Sequence, residues 1–316
     1  MFVGGIVPSV FGAIRTWVTP LWIVGVGALV VIAALYILAF LVRWIAPKIA
    51  AIAHTTSKEG ISQPLFYVLL AVGIFALIIF PFVSYNTFGE DVKMLKAEGL
   101  TLIKVLAILL ALWTASVSIA DEIEGRTALT LLSKPVGRVQ LIIGKFLGIL
   151  VPVAVIFIIL GVIFLASVSF KVVYDARETA NPEPSPAECF KEMVQVAPGL
   201  GLAFMEAVIL ASVSVAISTR LPMLPNLVIS SAIYVLGHLV PTLVASLGGQ
   251  FPLVTFVGRL LAAVLPGLEH FNMETGISTG QLVPVAYLAG AAAYCALYSL
   301  AALLVALLLF EERDLA

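Results

Sequence analysis

The chain alternates long apolar runs with short polar breaks. Seven runs, at about 21–43, 65–83, 100–120, 141–166, 199–217, 226–245 and 283–309, approach the length of a bilayer crossing. A hydrocarbon core needs about 20 consecutive apolar residues as a helix. Only a helix or a closed barrel satisfies its backbone groups in lipid. The pattern therefore predicts seven transmembrane helices.

The breaks differ in character. Trp44–Gln63 is apolar but interrupted by Lys48, His54, Lys58 and Glu59. It predicts a segment on the membrane surface, re-entering at Pro64. Ser118–Lys145 is the main charged stretch, with Asp121, Glu122, Glu124, Arg126, Lys134, Arg138 and Lys145. Such charges stay in water or at headgroups, so a loop is expected. Within it Thr127–Leu132 reads as a short helix, stopped by Pro135 and Gly137. Ser167–Pro198 is the only long polar stretch. Its run Asn181-Pro-Glu-Pro-Ser-Pro186 excludes a regular helix because each proline lacks an N–H; a flexible extracytoplasmic loop is expected. Gly248–Leu282, broken by Pro252, Pro266, Gly267 and Gly276, predicts re-entrant or surface helices.

Composition sharpens this picture. The chain is 62% hydrophobic and 11% charged, with mean hydropathy +1.16. Soluble domains carry about 25% charge. So little polar surface implies an all-α polytopic membrane protein. The net charge of −1 leaves no basic footprint for nucleic acid. Cys189, read as lying in the polar loop, and Cys295, in an apolar run, do not suggest a disulfide or a metal site. The start of the chain does not read as a signal peptide: Arg15 is the only charge before Arg43, and Leu21–Val42 is long enough to span. Met1–Pro20 is expected at the interface, anchored by Trp17 and Trp22.

Charge bias orients the chain weakly. With 44–64 and 121–140 inside, nine basic residues lie inside and eight outside, the latter including Lys96, Lys104 and Lys171.

Two ionisable residues stand inside spans. Glu206 sits near the middle of its run and His238 near the middle of the next. A charge at the bilayer centre costs about 2.5 kcal/mol or more. Each is a candidate for a translocation path or a proton relay, against the plainer alternative of a neutral, hydrogen-bonded core group. Gly144-x-x-x-Gly148 and Ala286-x-x-x-Gly290 have the spacing of close helix contacts. Pro81, Pro152 and Pro241 are candidate kinks. Gly276-Ile-Ser-Thr-Gly280 matches a nucleophile-elbow pattern, which has meaning only at a strand-to-helix turn. It makes Ser278, near His270, a minor candidate nucleophile. His54, His238 and His270 have no metal-ligand spacing. The chain has no G-x-x-x-x-G-K-[ST] run, so it offers no phosphate-binding loop.

The charged stretch also carries a resemblance. Ser118–Gly148 reads S-I-x-x-E-I-E-G-x-T-x-x-x-L-L-S-K-P-V-x-R-x-x-x-x-x-G-K-F-L-G and resembles the first cytoplasmic loop of type-2 ABC exporter permeases (ABC-2 type). Tyr85–Leu100 is similar to the outer loop of one bacterial branch, and Leu309–Leu315, LFEERDL, resembles the family's closing F-x-x-R-D-L. The resemblance covers most of residues 44–316. It implies a six-span permease core, here with one extra N-terminal transmembrane helix within residues 1–43. It places a coupling loop at 121–140 on the cytoplasmic side, an extracytoplasmic loop at 167–198, and an elbow helix at 44–63. It also implies that Glu122, Glu124, Arg126, Thr127, Leu131, Leu132, Lys134, Pro135 and Arg138 couple to a separate ABC ATP-binding subunit. ATP and Mg would sit on that partner, with no cofactor in this chain. A second permease copy, homo- or heterodimeric, would complete the transporter in the inner (cytoplasmic) membrane, embedded in the lipid bilayer. The expected function is export of an unidentified substrate, not catalysis. The alternatives are an ATP-independent channel or secondary transporter using Glu206 and His238 and, less favoured, an intramembrane hydrolase.

Overall fold

The computed structural model describes residues 15–83, 90–124, 137–179, 181–247, 252–273, 276–277 and 280–311. Side chains at 120–124 and at a few positions in 241–263 fall outside this description. Among the described residues nine α-helices carry the fold: α1 (Leu21–Ile45), α2 (Pro47–Ser62), α3 (Pro64–Ile79), α4 (Asp91–Glu124), α5 (Arg138–Glu178), α6 (Pro186–Ser218), α7 (Met223–Leu247), α8 (Pro252–Val264) and α9 (Val285–Glu311). All but α2 and α8 belong to segments long and apolar enough to cross a membrane, seven in number among the described residues. No strand occurs among the described residues. The expectation of an all-α, seven-span protein is met.

Local chemistry sets the boundaries. Pro47 and Pro64 start α2 and α3, where a missing N–H costs nothing. Gln63, before Pro64, is extended at φ −67° and ψ 137°, as a residue preceding proline prefers. That one residue separates α2 from α3. Ser185 caps α6: its Oγ accepts from the Glu188 N–H at 3.4 Å, and Glu188 accepts from the Ser185 N–H at 3.2 Å.

The core is the trio α4, α5 and α6, which pack on one another. In their most apolar windows 72%, 50% and 67% of residues are buried, against 6% for the segment holding α1. α9 lies against α6, α2 and α3 against α5, and α7 against α4 and α6, with α8 on α7.

Several expectations need correction. The polar stretch 167–198 is mostly helix: α5 runs to Glu178 and α6 starts at Pro186, leaving the proline run as the break. Several of its polar residues pair with α4, Lys171 with Asp91 and both Glu192 and Gln195 with Lys96, which hydropathy cannot show. Cys189 is therefore not in a loop but buried in the first turn of α6; Cys295 is likewise a buried free thiol. Lys96, Lys104 and Lys171 are not outer-loop charges. Each is buried within a helix, as is Lys145. Without these four, eight basic residues remain on the side assigned as inside and five on the other.

The segment 44–63 forms α2, which packs lengthwise on the start of α5. The Gly144/Gly148 pair makes this contact possible. A Cβ on Gly144 would come within 2.8 Å of Ile52 Cβ, and one on Gly148 within 2.5 Å of Thr56 Cβ. One turn further, Gly60 faces Pro152 of α5, where a Cβ would meet Cγ at 3.1 Å. Small residues thus bring two backbones together over two turns. His54, Lys58 and Glu59 occupy the exposed face. Pro152 lies inside α5, which continues through it.

Candidate functional site

Three helices bring ionisable side chains together inside the bundle. Lys104 comes from α4, Glu206 from α6 and His238 from α7. Lys104 Nζ is 3.9 Å from Glu206 Oε2, and His238 Nε2 is 3.4 Å from Glu206 Oε1. Glu206 is completely buried and His238 about one quarter exposed. Both contacts are longer than the roughly 2.8 Å of a tight charge-assisted hydrogen bond.

The His238 tautomer follows from its other nitrogen. Nδ1 lies 3.1 Å from the Tyr234 carbonyl oxygen, which can only accept, so Nδ1 carries a proton. Nε2 then faces the carboxyl group. One proton placed between Nε2 and Oε1 gives either a neutral pair or an imidazolium–carboxylate pair. The Tyr234 ring packs edge-on against the imidazole, centroids 4.9 Å apart. The cluster can hold a proton or meet a polar group in the middle of an apolar bundle. Glu206 and His238 stood out as intrusions in apolar runs. Lys104 carried the same signal, in TLIKVLAILL, but was counted with the outer charges.

A second polar cluster lies toward the other end of α7. Asn226 Nδ2 donates to Ser116 Oγ at 2.8 Å and to Ser214 Oγ at 3.1 Å, while Ser230 Oγ donates to Asn226 Oδ1 at 3.0 Å. This buried network joins α4, α6 and α7. Neutral residues of this kind do not interrupt hydropathy, so sequence reading passed over it.

The charged stretch enters the description only at its stems. α4 continues through Glu122 to Glu124, their side chains not described, so this part is helix rather than loop. Arg126, Thr127, Leu131, Leu132, Lys134 and Pro135 lie outside the described residues. Arg138 opens α5, exposed, and its guanidinium donates to the Glu311 carbonyl at 3.4 Å. Lys145 Nζ donates to the carbonyl and the hydroxyl of Ser118, both at 2.9 Å, joining α4 to α5 just below.

The nucleophile-elbow pattern finds no support. Ser278 lies outside the described residues, and the turn a hydrolase needs belongs to a parallel sheet. His270 is taken up otherwise: its ring stacks on Tyr294 and its Nδ1 approaches the Gly267 carbonyl at 3.0 Å.

A family model described as "ABC-2 family transporter protein" matches residues 76–315, from the end of α3 through α9. The chain belongs to the ABC-2 transporter family. It is a multi-pass membrane permease component of an ABC transporter, and its role is transport. No curated protein matches the sequence. The ABC-2 match contains the Lys104–Glu206–His238 cluster and both stems of the charged stretch. α1, α2 and most of α3 precede the matched region.

Proposed function

We propose that this ABC-2 permease is the exporting subunit of an ATP-driven transporter, moved by a separate ATP-binding subunit that docks on the 121–138 segment. The continuity of α4 and α5 supports this reading best. Each runs unbroken from that segment into the core, and α4 carries Lys104 to the ionic cluster. A push on the segment is thereby delivered to Lys104 through one rigid element. The clamps Lys145–Ser118 and Arg138–Glu311 tie the stems to each other and to α9. Glu122, Glu124, Arg126 and Lys134 supply charge for register, and Leu131 and Leu132 supply burial. With the four buried lysines set aside, the eight-to-five distribution of the remaining basic residues supports this segment on the cytoplasmic side. A second permease copy completes the path, in the inner membrane. ATP binding shifts the pair between states by its own differential affinity for them, and transport requires that ATP and substrate prefer different states.

Pull-down from native membranes through a C-terminal tag tests the reading. A soluble ATPase recovered in near-equal amount supports it. The pair Glu124→Lys with Arg126→Glu should then leave insertion intact but uncouple hydrolysis. Recovery of no ATPase, even after cross-linking at 121–138, overturns it. The Glu206–His238 contact favours a second reading, an ATP-independent channel or secondary transporter. It predicts proton-linked flux from the chain reconstituted alone.

A further inference from the structure

A cavity of about 460 Å³ lies between α1, α5 and α6. Every side chain lining it is apolar. It faces away from the ionic cluster, because Ala197, Gly201 and Phe204 lie on the side of α6 opposite Glu206. It is therefore separate from the candidate transport site.

Three features define its occupant. The first is length. The lining runs from Ile23 to Leu35 on α1, about 18 Å at the helical rise. One leaflet of a bilayer offers hydrocarbon about 15 Å deep, half the roughly 30 Å core. The second is depth. The lining starts two residues into α1, beside Trp22 and just past Trp17, whose ring packs edge-on against Phe170. Aromatic residues of this kind mark the headgroup level. The slot thus begins at an interface and runs one leaflet inward. The third is the use of small residues. Glycines between membrane helices ordinarily bring backbones into contact. Here a Cβ on Gly27 or Gly201 would meet no atom within 4 Å. These glycines leave a slot open instead of closing it. Water has no polar partner inside such a slot, and an empty slot forfeits the dispersion contacts of its walls.

We propose that this cavity is a binding site for one acyl chain of a resident bilayer phospholipid. The chain enters from the leaflet at the N-terminal end of α1 and fills the gap between α1 and the α5–α6 wall. The lipid adds to the direct contacts that α1 already makes with α2 and α5.

The test counts lipid on the complete chain, purified from membranes and reconstituted in dioleoylphosphatidylethanolamine–dioleoylphosphatidylglycerol vesicles. After extraction into mild detergent, native mass spectrometry reads the phospholipid retained per chain. Wild type should keep one. Gly201→Phe and Gly27→Phe place a ring in the open slot and should lower the retained fraction at least fivefold. Leu300→Trp, on the exposed face of α9, should leave it unchanged. Thermal unfolding gives a second readout: added phospholipid should raise the midpoint of wild type and not of Gly201→Phe. Equal retention in wild type and both filled variants overturns the proposal, as does a wild type that keeps no lipid. Loss of the lipid when ATP and Mg are added to the complex co-purified with its ATPase would assign the tail to cargo and overturn its residence. Lipid counting on the chain needs no ATPase, so its failure is distinguishable from failure of the exporter reading.

Discussion

Two lysines on one face of α4 meet two glutamates of α6, and they meet them differently. Lys96 is enclosed: its ammonium pairs with Glu192 and donates to Gln195 at 2.9 Å. Two turns further along, Lys104 stands 3.9 Å from Glu206, which is also 3.4 Å from His238 on a third helix. The first arrangement fixes α4 against α6. In the second, one carboxyl group lies between a lysine and an imidazole on different helices, at distances that leave room to tighten either contact. Buried ion pairs add little net stability but are expensive to break. A tight pair near a helix end therefore suits an anchor. A looser one in the middle of the bundle suits a group whose partners change.

The comparison is most easily broken at the anchor. Glu192→Leu leaves the Lys96 ammonium buried without its counter-charge, and should cost about 3 kcal/mol or more of stability. A lowered unfolding midpoint in detergent is the measurement. Lys96→Met should cost less, about 1–2 kcal/mol, because Glu192 is 30% exposed and water can replace its partner. An equal loss in the two variants would show that the pair does not anchor through the buried lysine.

The cluster should respond differently. Glu206→Leu should lower ATP turnover of the co-purified complex about tenfold, equivalent to about 1.4 kcal/mol. Because buried Lys104 also loses its counter-charge, the unfolding midpoint should fall too, and the distinguishing readout is turnover per folded complex, which Glu192→Leu should leave intact. A large stability loss with normal turnover would make Glu206 a second anchor. Glu206→Gln is the finest probe and the smallest expected effect if the group only packs. It keeps shape and hydrogen bonding but cannot exchange a proton. Wild-type turnover in this variant would end the proton-relay role.

Much of this architecture was legible from the sequence. Hydropathy located the seven spans because lipid admits few backbone solutions. Glu206 and His238 were visible as ionisable residues in apolar runs, but their meeting was not, since it depends on how α6 and α7 pack. Lys104 was hidden by bookkeeping of charge rather than by physics: it lay inside an expected span and was tallied as an outer charge. Lys96, Lys171 and Gln195 were hidden for a better reason. Each is polar, so each shortens the apparent span, yet each is buried by pairing across helices. Lys171, for example, sits 3.2 Å from Asp91. The glycine spacing at 144 and 148 was legible as a contact, but its partner was expected on the membrane surface instead of against α5. Residues 125–136 carry the family resemblance and lie outside the described structure, so their coupling role rests on that resemblance and on the stems.

The Lys145–Ser118 hydrogen bonds have a mechanical consequence. They pin α4 at a point six residues from Glu124 and fourteen from Lys104. At the helical rise these arms measure about 9 Å and about 21 Å. A rod pivoting at Ser118 reverses a displacement at its Glu124 end and enlarges it more than twofold at Lys104. By that leverage, a shift of 1 Å where the ATPase would dock becomes a movement of more than 2 Å at the lysine, more than enough to close or break its 3.9 Å contact with Glu206. Lys145→Met removes the fulcrum. Spin labels at the two ends of α4 should then lose their opposed displacements on ATP binding, and retained opposition would place the pivot elsewhere.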